Sequence, residues 1–371
     1  MSAKVCHITS AHPRHDRRIL LKECVSLAKA GYDVHLIVND HNADEVFEGV
    51  KIRSTQFQAN SRIKRFVLSH RKLFKIAREV DADIYHFHDP DLLPMMSKMR
   101  RRGKKVVFDS HENIPKQILS KGWLPSPIRK ITAWIYEKYE ILTVARSHAL
   151  ISVTPAIVER FRKFQENSYL VTNYPIMSAT VEIAREQRRA IGFAGGIGDL
   201  YNHLTILDAL ESVDDVVYHL AGRADSLDYI AQIKKHRSSA KVKYWGQLSP
   251  FDVYKLVYDN VAVGMCLHSA IQAEGMGSLG VVKLFEMMER GLPIVCSNYP
   301  IWEEINDKYD FGICVDPKDA VAVGDAITFL LDNPERARQM GENGRRAVEV
   351  EFNWSKQEKV LLGAYASIYR D

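Results

Sequence analysis

The chain has 371 residues, of which 46% are apolar and 26% are charged. This composition excludes an intrinsically disordered chain, and the length predicts two domains. No apolar run reaches the roughly 18 residues that a membrane-spanning helix needs, and the first residues lack the layout of a secretory signal. We therefore expect a cytoplasmic protein, with peripheral attachment to the inner face of the cytoplasmic membrane as an alternative.

Charge differs between the two halves of the chain. Residues 1–175 contain 30 Lys and Arg against 18 Asp and Glu, a net charge of +12, whereas residues 176–371 contain 21 against 28, a net charge of −7. This difference predicts that the first half meets an anionic membrane surface, a phosphorylated substrate or nucleic acid. A partly compensating interface between the two halves is the alternative.

The cysteines and histidines show no pattern typical of a metal or redox site. The five cysteines are scattered without a C-x-x-C pair, and the 14 histidines include no H-E-x-x-H. We expect buried, reduced thiols and no bound metal ion.

Strands and helices alternate along the first half. KVCHITS predicts a strand, RRILLKECVSLAKA an amphipathic helix that stops at Gly31, and YDVHLIV a second strand, which together form a βαβ unit. ADIYHFHDP, KKVVFDSHE and SHALISVTP each predict a further strand followed by a loop. Residues 1–175 are therefore predicted as the N-terminal domain, and the polar residues 176–189 as a linker.

The second half repeats this alternation. Strands are predicted in AIGFAGG, VVYHLAG, KVKYWGQL, NVAVGMCL, LPIVCSN and FGICV. Residues 190–351 then form a second domain, and residues 352–371 a last amphipathic helix that packs back toward the first. The pattern predicts an α/β protein with two Rossmann-like, doubly wound parallel sheets. Ligands bind at the carboxyl ends of such strands, so two facing sheets would form an interdomain cleft.

The stretch VVKLFEMMERGLPIV places a lysine and a glutamate at the start of an apolar helix. The helix dipole disfavours Lys283 in the first turn, and Lys before Glu286 is the weaker order for an ion pair. A bound anion would account for both observations. Its donors would be the amides of Gly280, Val281 and Val282 and the Lys283 ammonium, and Glu286 would reach a pair of sugar hydroxyls. A surface contact between Lys283 and Glu286 is the alternative.

The loop GFAGGIGDLYNH is a candidate for phosphate binding. Gly195 and Gly196 allow the backbone to approach a phosphate or a sugar closely. The loop contains no G-x-G-x-x-G dinucleotide fingerprint, and an ordinary glycine-rich turn is the alternative.

The segment HPRHDRRI is a second candidate. The side chains of Arg14, His15, Asp16 and Arg18 could bind an acceptor that carries phosphate, because guanidinium groups match phosphate geometry. The alternative is a helix N-cap at Asp16 followed by solvated arginines.

KLFEMMERGLPIV, followed by SNYPIWEEI, resembles the nucleotide-sugar signature of the family 4 glycosyltransferases. Further segments that resemble this family occur in the expected order along nearly the whole chain: TSAHPRHDRRI, LAKAGYDVHLI, YHFHDPDLL, KKVVFDSHE, VTP, TNYP, GFAGG and NWSKQEKVLLGAY. The resemblance implies a GT-B fold, with the acceptor bound by residues 1–175 and the donor by residues 190–351.

The resemblance also implies the reaction. A sugar is transferred with retention from a nucleoside diphosphate sugar, of the UDP or GDP type, to a hydroxyl, without a metal ion or cofactor. The implied acceptor is a saccharide or a polyprenyl-diphosphate-linked molecule, and the implied setting is the synthesis of a bacterial cell-surface polysaccharide or glycoconjugate.

The resemblance assigns roles to individual residues. The glutamate that matches Glu286 binds the donor ribose, and the helix N-terminus with Lys283 stabilises the departing diphosphate. His111, in FDSHEN, matches a histidine that contacts the donor sugar at the reaction centre, and a structural histidine is the alternative. In YHFHDPD, His88 lines the cleft on the acceptor side and His86 supports the loop.

The sequence departs from the family upstream of Glu286. Relatives often carry a second glutamate eight residues earlier, where this chain has Ser278. Glu274, in EGMG, resembles that glutamate displaced by four residues. Either Glu274 reaches the donor sugar as a catalytic residue, or this role is absent.

A second departure lies in the glycine loop. Tyr201 and Asn202 stand where relatives carry a basic residue and a glycine. Arg223 or Lys283 is therefore expected to supply the missing phosphate contact.

Two basic stretches, RIKRFVLSHRKLFKIAREV and KGWLPSPIRKITAWIYEKY, resemble a surface that lies on anionic lipid. Amphipathic helices with a solvated basic face are the alternative. Rival functions are a nucleotide-sugar epimerase of the same fold and a nucleic-acid-binding protein. The latter leaves Lys283 and Glu286 unexplained, so no nucleic-acid partner is expected.

Overall fold

The computed structural model describes residues 3–57, 62–111, 113–121, 125–178, 188–269 and 279–370, and it describes side chains in all of these except 62–67. The chain forms two compact units. The first unit comprises Met1–Asn173 and Trp354–Asp371, and the second unit comprises Tyr174–Asn353.

The first unit is built on one sheet. Its strands are β1 (Lys4–Ile8), β2 (Asp33–Val38), β3 (Glu45–Phe47), β4 (Val50–Ser54), β5 (Ile84–Phe87), β6 (Lys105–Ser110), β7 (Ala149–Ser152) and β8 (Ser168–Leu170). Their order is β3-β4-β2-β1-β5-β6-β7-β8. The described pairs are parallel except β3 with β4. This edge hairpin is absent from the predicted elements, and its two-residue turn places Glu48 and Gly49 at positive φ.

The first unit's helices begin with an irregular one. The predicted first helix starts as a π-helical turn, Ile19–Cys24, and continues as α1 (Val25–Lys29), ending before Gly31, which has a φ of 94°. The helices that follow in this unit are α2 (Arg62–Val80), α3 (Leu93–Arg101), α4 (Ile114–Ser120), α5 (Ser126–Val144) and α6 (Pro155–Arg162), with a short 3-10 turn at Pro90–Leu92.

The second unit contains a six-stranded parallel sheet. Its strands are β9 (Ala190–Ala194), β10 (Val217–Ala221), β11 (Val242–Tyr244), β12 (Val263–Cys266), β13 (Ile294–Ser297) and β14 (Gly312–Val315), in the order β11-β10-β9-β12-β13-β14. The six segments that the sequence predicts as strands are all confirmed, and parallel pairing in both units confirms the predicted α/β fold class.

Helices connect these strands. They are α7 (His203–Ala209), α8 (Leu227–Lys235), α9 (Pro250–Asp252), α10 (Val282–Glu289), α11 (Pro300–Tyr309), α12 (Ala320–Asp332) and α13 (Pro334–Val350). Shorter turns lie at Asp199–Tyr201, Arg237–Lys241, Val253–Val257 and Tyr258–Asn260. The predicted helix in VVKLFEMMERGLPIV is confirmed as α10, and it ends before Gly291, whose φ is 70°.

The last helix, α14 (Trp354–Arg370), belongs to the first unit. Its apolar side chains Leu361 and Ile368 pack in the core that also contains residues of β1, β2 and α1. The indole N–H of Trp354 donates to the hydroxyl of Ser26 at 3.0 Å. Helix α14 thus completes the hydrophobic core of a unit whose other residues lie about 180 positions or more earlier in the chain.

Strands in the middle of each sheet are buried on both faces, which accounts for their nearly continuous apolar sequences. Two histidines and an aspartate interrupt this pattern in the first unit: His7 in β1, His86 in β5 and Asp109 in β6, all fully buried. Buried polar groups require partners, so these positions mark a region that packing alone does not explain. Among the described residues, no helix is long and apolar enough to cross a membrane.

Candidate active site

Helix α10 begins beyond the carboxyl end of β12, where ligands bind in open parallel sheets. Its N-cap residue Val281 makes no side-chain cap, and its first turn contains no acidic residue. The ammonium of Lys283 lies in this turn, 3.1 Å from the carboxylate of Glu286. The side chain of Lys283 is 27% exposed and that of Glu286 only 4%. The predicted alternative, a contact between these two residues, is therefore present, and its lysine is within reach of solvent.

The backbone at the start of α10 turns tightly. The amide of Val282 donates to the carbonyl of Gly280 at 2.9 Å, and the amide of Leu284 donates to Val281 at 3.2 Å. Val282, one of the predicted amide donors to an anion, is therefore engaged within the turn. The Lys283 ammonium, on a side chain that is 27% exposed, is a donor at this terminus that a ligand can approach.

The glycine loop after β9 lies directly against Lys283. A Cβ atom placed on Gly195 would lie 3.5 Å from Cε of Lys283. The amide of Gly195 donates to Ala221 at 2.9 Å, which joins this loop to the end of β10. The adjacent Gly222 has a φ of 141°, and a Cβ there would lie 1.7 Å from the Gly195 carbonyl oxygen. The fold thus brings two glycine-bearing loops and one lysine to a single edge of the second sheet.

Tyr201 and Asn202 stabilise this loop. The backbone of Asn202 is left-handed, with a φ of 46°, a conformation that glycine and asparagine adopt more readily than other residues. Its side-chain amide donates to the Leu267 carbonyl at 2.7 Å. The ring of Tyr201 packs against that of Phe193, with 4.6 Å between centroids. Arg223 is exposed, and its carbonyl accepts from the loop at 3.0 Å.

His203 supports the same loop and is absent from the predicted site. Its Nδ1 lies 2.9 Å from the Tyr218 hydroxyl and its Nε2 lies 3.3 Å from the Gly196 carbonyl. Burial lowers the pKa of His203 to about 4, so the ring is neutral near pH 7. In that form Nε2–H donates to Gly196 and the hydroxyl of Tyr218 donates to Nδ1.

In the first unit, His111 follows β6 and is held by Asp109. The Nε2 atom of His111 lies 2.9 Å from a carboxylate oxygen of Asp109, whose side chain is fully buried, whereas that of His111 is 18% exposed. The ring of His111 lies beside His12, with 5.3 Å between ring centroids, and beside His88, with 5.7 Å. His111 is thus the exposed end of a group whose other members lie inside the unit.

Arg18 is committed to that buried group. Its Nε and Nη2 donate to the two oxygens of Asp109 at 3.0 and 3.1 Å, and its Nη1 donates to the Val171 carbonyl at 2.6 Å. Burial raises the pKa of Asp109, but Arg18 and His111 outweigh burial and hold that pKa well below its usual value. The geometry argues against the prediction that Arg18 binds an acceptor phosphate, because N–H groups on both edges of its guanidinium already donate to buried partners.

Arg14, His15 and Asp16 also have protein partners. Arg14 donates to both oxygens of Asp40 at 2.8 and 3.0 Å and is itself buried. His15 is half-exposed and lies 3.0 Å from Glu45. One oxygen of Asp16 accepts from the amides of residues 18 and 19 at 2.8 and 2.9 Å. The structure therefore favours the predicted alternative, a helix cap at Asp16, and leaves His15 as the more accessible side chain.

His86 and His88 are both buried inside the first unit. The Nδ1 of His88 lies 3.3 Å from Asp109, and the Nδ1 of His86 lies 2.8 Å from the Tyr365 hydroxyl of α14. The predicted supporting role of His86 agrees with this burial. His88 is held in the same way as His86, so it supports the strand end instead of lining an open surface.

Two predicted positions cannot be placed. Glu274 and Ser278 lie outside the described residues.

His7, Thr9 and Asp109 are absent from the predicted site, but their spacing from other polar residues carries a signal. His7 and Thr9, His86 and His88, and Asp109 and His111 are each two positions apart on predicted strands. A period of two places such residues on one face of a sheet, and the register pairs His7 with His86 and His86 with Val107.

Two family profiles match consecutive parts of the chain. The profile described as Glycosyltransferase Family 4 matches residues 18–173, and the profile described as Glycosyl transferases group 1 matches residues 180–347. The chain belongs to the family 4 glycosyltransferases. This membership makes it a glycosyltransferase, an enzyme that transfers a sugar to an acceptor.

One characterised relative of this glycosyltransferase is the D-rhamnosyltransferase WbpZ of Pseudomonas aeruginosa. The two chains are 24% identical over 345 residues, which covers 88% of this chain and 85% of the relative.

Solved structures show the same fold at lower identity. Sucrose-phosphate synthase of Thermosynechococcus elongatus has a TM-score of 0.75 at 15% identity, with 99% of both chains covered. Anabaena HepE in complex with UDP and glucose has a TM-score of 0.72 at 14% identity, covering 98% of this chain and all of that one. WaaG, a glycosyltransferase of lipopolysaccharide biosynthesis, has a TM-score of 0.70 at 14% identity, covering 96% and 98%. These similarities confirm the GT-B fold.

Proposed function

We propose that this glycosyltransferase transfers a hexose or related sugar, with retention, from a UDP- or GDP-sugar to a hydroxyl of a saccharide or polyprenyl-diphosphate-linked acceptor, without a metal ion. One observation carries the proposal. The Lys283 side chain lies against the Gly195 loop and pairs with the buried Glu286 at the start of α10. A cation, a glycine loop and a carboxylate at one strand edge match the phosphate and ribose of one donor.

In this proposal a bound diphosphate changes the partner of Lys283. The ammonium moves from Glu286 to the diphosphate, and the released carboxylate accepts hydrogen bonds from the ribose hydroxyls. The dipole of α10 favours that exchange, because it disfavours the lysine alone and favours an anion. Arg223, exposed at the end of β10, is the second candidate cation.

The reaction breaks the bond between the anomeric carbon and the diphosphate oxygen and forms one from that carbon to the acceptor oxygen. The acceptor hydroxyl transfers its proton to the departing oxygen of the nucleoside diphosphate. Lys283 stabilises the negative charge that develops on the leaving group, which is where electrostatic stabilisation lowers the barrier. His111 contacts the donor sugar. Glu274 remains a candidate for a further sugar contact.

The named relatives suggest which donors to try first. WbpZ is a D-rhamnosyltransferase, and HepE was solved with UDP and glucose. We therefore propose a screen of thermal stabilisation and donor hydrolysis that includes UDP-glucose and a nucleoside diphosphate D-rhamnose among other UDP- and GDP-sugars.

Two substitutions test the donor site. Lys283→Ala removes a charge-assisted hydrogen bond worth about 1.5–3 kcal/mol, so donor affinity should fall roughly 10- to 100-fold. Glu286→Gln should weaken binding of the complete donor more than binding of inorganic diphosphate, because Glu286 serves the ribose. The matched control is Lys235→Ala, at the exposed C-terminal end of α8. The proposal is wrong if no nucleotide sugar stabilises the protein, or if Lys283→Ala binds the donor as tightly as the control.

Retention and metal independence need separate measurements. The anomeric configuration of the product, read by NMR, should equal that of the donor, and an inverted product would refute retention. Turnover should be unchanged after treatment with EDTA, and loss of activity that a divalent cation restores would refute metal independence.

We further propose that helix α5 contacts the anionic membrane surface where a lipid-linked acceptor would lie. Six of its large apolar side chains are at least 40% exposed: Ile128, Ile131, Trp134, Ile135, Tyr139 and Leu142. Exposed lysines Lys130 and Lys138 lie on the same helix. Apolar side chains beside basic ones suit a helix that rests on anionic lipid. By contrast, the described side chains of α2 bury Leu73 and Ala77 and expose basic residues, which matches the ordinary amphipathic alternative.

Liposome flotation tests this contact. The protein should float with vesicles that contain anionic lipid, and the double variant Ile131→Ser, Trp134→Ser should not. A double variant of two similarly exposed apolar residues in the second unit, Leu227→Ser and Phe251→Ser, serves as the control and should float. Equal flotation of both variants, or none for the unaltered protein, would remove the membrane proposal.

A further inference from the structure

Seven polar side chains meet inside the first unit. They are His7, Arg18, Glu23, His86, His88, Asp109 and Tyr365, and none is more than 4% exposed. They come from β1, the first helical segment, β5 and the residue after it, β6 and α14. Burial of so many polar groups is costly unless their hydrogen bonds are satisfied, so their arrangement requires an explanation.

Polar contacts connect three of the histidines to Asp109 in one direction. The Nδ1 of His88 lies 3.3 Å from the Asp109 carboxylate, whose negative charge favours the proton on that nitrogen. The Nε2 of His88 then accepts from the Nδ1 of His7 at 2.9 Å, and the Nε2 of His7 accepts from the Tyr365 hydroxyl at 3.1 Å. The Tyr365 oxygen in turn accepts from the Nδ1 of His86 at 2.8 Å. Each neutral imidazole supplies one proton to this chain of contacts.

Charge in this group is confined to Arg18 and Asp109. Burial lowers the pKa values of His7, His86 and His88. Burial also raises the pKa of Glu23 well above its usual value, by more than the neighbouring Arg18 lowers it. One buried ion pair therefore remains, and neutral donors surround it.

A metal ion is the other explanation for such a cluster, since His7, Glu23, His86 and His88 lie close enough to share one. The hydrogen bonds argue against it. Both ring nitrogens of His7 already have partners at 2.9 and 3.1 Å, and Arg18 lies 3.0 Å from Glu23. The Arg18 guanidinium beside the Glu23 carboxyl group would repel a cation and compete for its ligand.

Asp109 connects this interior group to the surface. Two of its neighbours, Arg18 and His88, are buried, and the third, His111, follows β6 with a side chain that is 18% exposed. Because the negative carboxylate lies 2.9 Å from Nε2, it favours the proton of His111 on that nitrogen. The Nδ1 atom is then the ring nitrogen that can accept a hydrogen bond from a ligand.

We propose that Asp109 is a positioning residue for His111: it holds the ring in the Nε2–H form, so that Nδ1 accepts a hydroxyl of the donor sugar. The chain from Tyr365 through His7 and His88 holds Asp109 in turn. This inference rests on the proposed function, in which His111 contacts the donor. It gives Arg18 and His88 a shared role beneath the site, in place of direct contact with the acceptor.

The unaltered protein provides the first test. Long-range proton–nitrogen NMR of protein labelled with ¹⁵N-histidine reports which ring nitrogen carries the proton, and single His→Gln variants assign the signals. His111 should carry its proton on Nε2, and His7, His86 and His88 on Nδ1. His203, in the second unit, should be in the Nε2–H form and serves as the internal reference. A proton on Nδ1 of His111 would overturn the proposal even if no Asp109 variant folds.

The second test is a kinetic cycle on the full chain. Asp109→Asn should lower kcat by about tenfold or more, though by less than the ~10⁴-fold that the corresponding change costs a Ser-His-Asp triad, because His111 is not required to transfer a proton. In a His111→Ala background, the same change should cause little further loss, since Asp109 acts through His111. A merely structural role would instead give equal losses in both backgrounds.

Three measurements separate the possible failures. If the unaltered protein binds no nucleotide sugar, the proposed function fails. If the unaltered protein binds and turns over the donor, the proposed function stands. The positioning role then fails alone if Asp109→Asn retains its full kcat, or if the change lowers kcat by the same factor with and without His111. A stoichiometric metal ion found by elemental analysis, and lost in His7→Gln, would also overturn the hydrogen-bonded arrangement.

Discussion

The strand ends of the two units are built by opposite means. In the first unit, side chains fill the region: Asp109 and Arg18 form a buried ion pair, with neutral histidines around it. In the second unit, the corresponding edge consists of backbone, where Gly195 and Gly222 approach each other and Lys283 is the nearby cation. The side chains of the first arrangement are held by one another, whereas in the second the lysine can exchange one partner for another.

This difference predicts which unit should be more sensitive to substitution in its stability and which in its affinity for the donor. Both charges of a buried ion pair are removed from water. Loss of one partner therefore leaves the other charge unpaired and lowers the free energy of unfolding. A glycine loop leaves room for a ligand because it has no side chains. A new side chain there should therefore lower ligand affinity more than it lowers the stability of the fold, except where the backbone itself is crowded. Substitutions in the first unit should therefore change stability most, and those in the second unit should change donor affinity most.

Arg18→Met should have the largest effect on stability. It leaves Asp109 buried without its counter-charge, which costs about 3–5 kcal/mol in the free energy of unfolding. Urea denaturation measures this loss. The matched control is Arg14→Met, whose partner Asp40 is partly exposed and can be solvated, so its loss should be smaller. Equal losses for the two variants would contradict the comparison.

Gly222→Ala should have the next largest effect, about 1–3 kcal/mol, because alanine is strained at a φ of 141° and its Cβ would meet the Gly195 carbonyl. Gly196→Ala should stay within about 0.5 kcal/mol of the unaltered protein, since a Cβ there meets no atom within 4 Å. Donor affinity should nevertheless fall in Gly196→Ala. Thermal unfolding and donor titration check both variants, and an unstable Gly196→Ala would show that crowding extends along the loop.

Lowering the pH should destabilise the first unit no more than the second. A histidine whose folded pKa is lowered takes up a proton on unfolding below about pH 6.5, so its contribution is complete above that pH and declines as the pH falls toward the folded pKa. His7, His86 and His88 behave in this way in the first unit. In the second unit, His203 and His268 have pKa values lowered by burial to about 4.

In the first unit, Glu23 acts in the opposite direction: burial raises its pKa, so it releases a proton on unfolding and contributes more stability as the pH falls. This gain offsets the loss from the additional histidine, so the first unit should lose no more stability than the second at pH 5.5. Hydrogen exchange of the intact protein, corrected for intrinsic rates, measures both units at once. Greater loss of protection in β1 and β5 than in β9 and β10 would contradict this expectation.

The smallest effect should come from the helix cap at Asp16. Asp16→Ala should reduce stability by about 1 kcal/mol and leave the KM for the acceptor unchanged. Asp319→Ala, which removes the cap of α12 in the second unit, is the matched control and should cost a similar amount. A raised acceptor KM in Asp16→Ala alone would restore the acceptor-binding interpretation.

Much of the fold follows from local patterns. The α/β class, the strands of the second unit, and helix α10 with its glycine stop all depend on periodicity and helix-end residues, which act over a few positions. The hairpin of β3 and β4 is absent from the prediction because its strands are short and polar. Its pairing at the sheet edge is a tertiary contact.

The candidate site divides in the same way. Lys283 and Glu286 are three positions apart on one helix, so their proximity follows from helical geometry, and the contact of 3.1 Å agrees with it. Arg18 and Asp109 are 91 positions apart, and nothing local to either indicates the other. Arg18 therefore resembles a surface arginine available to phosphate in the sequence, although the structure buries it.

The sequence by itself determines an α/β chain with two domains and with a lysine, a glutamate and a glycine loop at strand ends, because periodicity and short-range spacing encode these features. The resemblance of its motifs to the family 4 glycosyltransferases adds the enzyme class. Only the tertiary structure decides which polar residues face outward. The hydrogen bond from the Tyr365 hydroxyl to His7 joins residues 358 positions apart. Such a contact depends on how α14 packs against β1 and β5, and desolvation there sets the charge of each group.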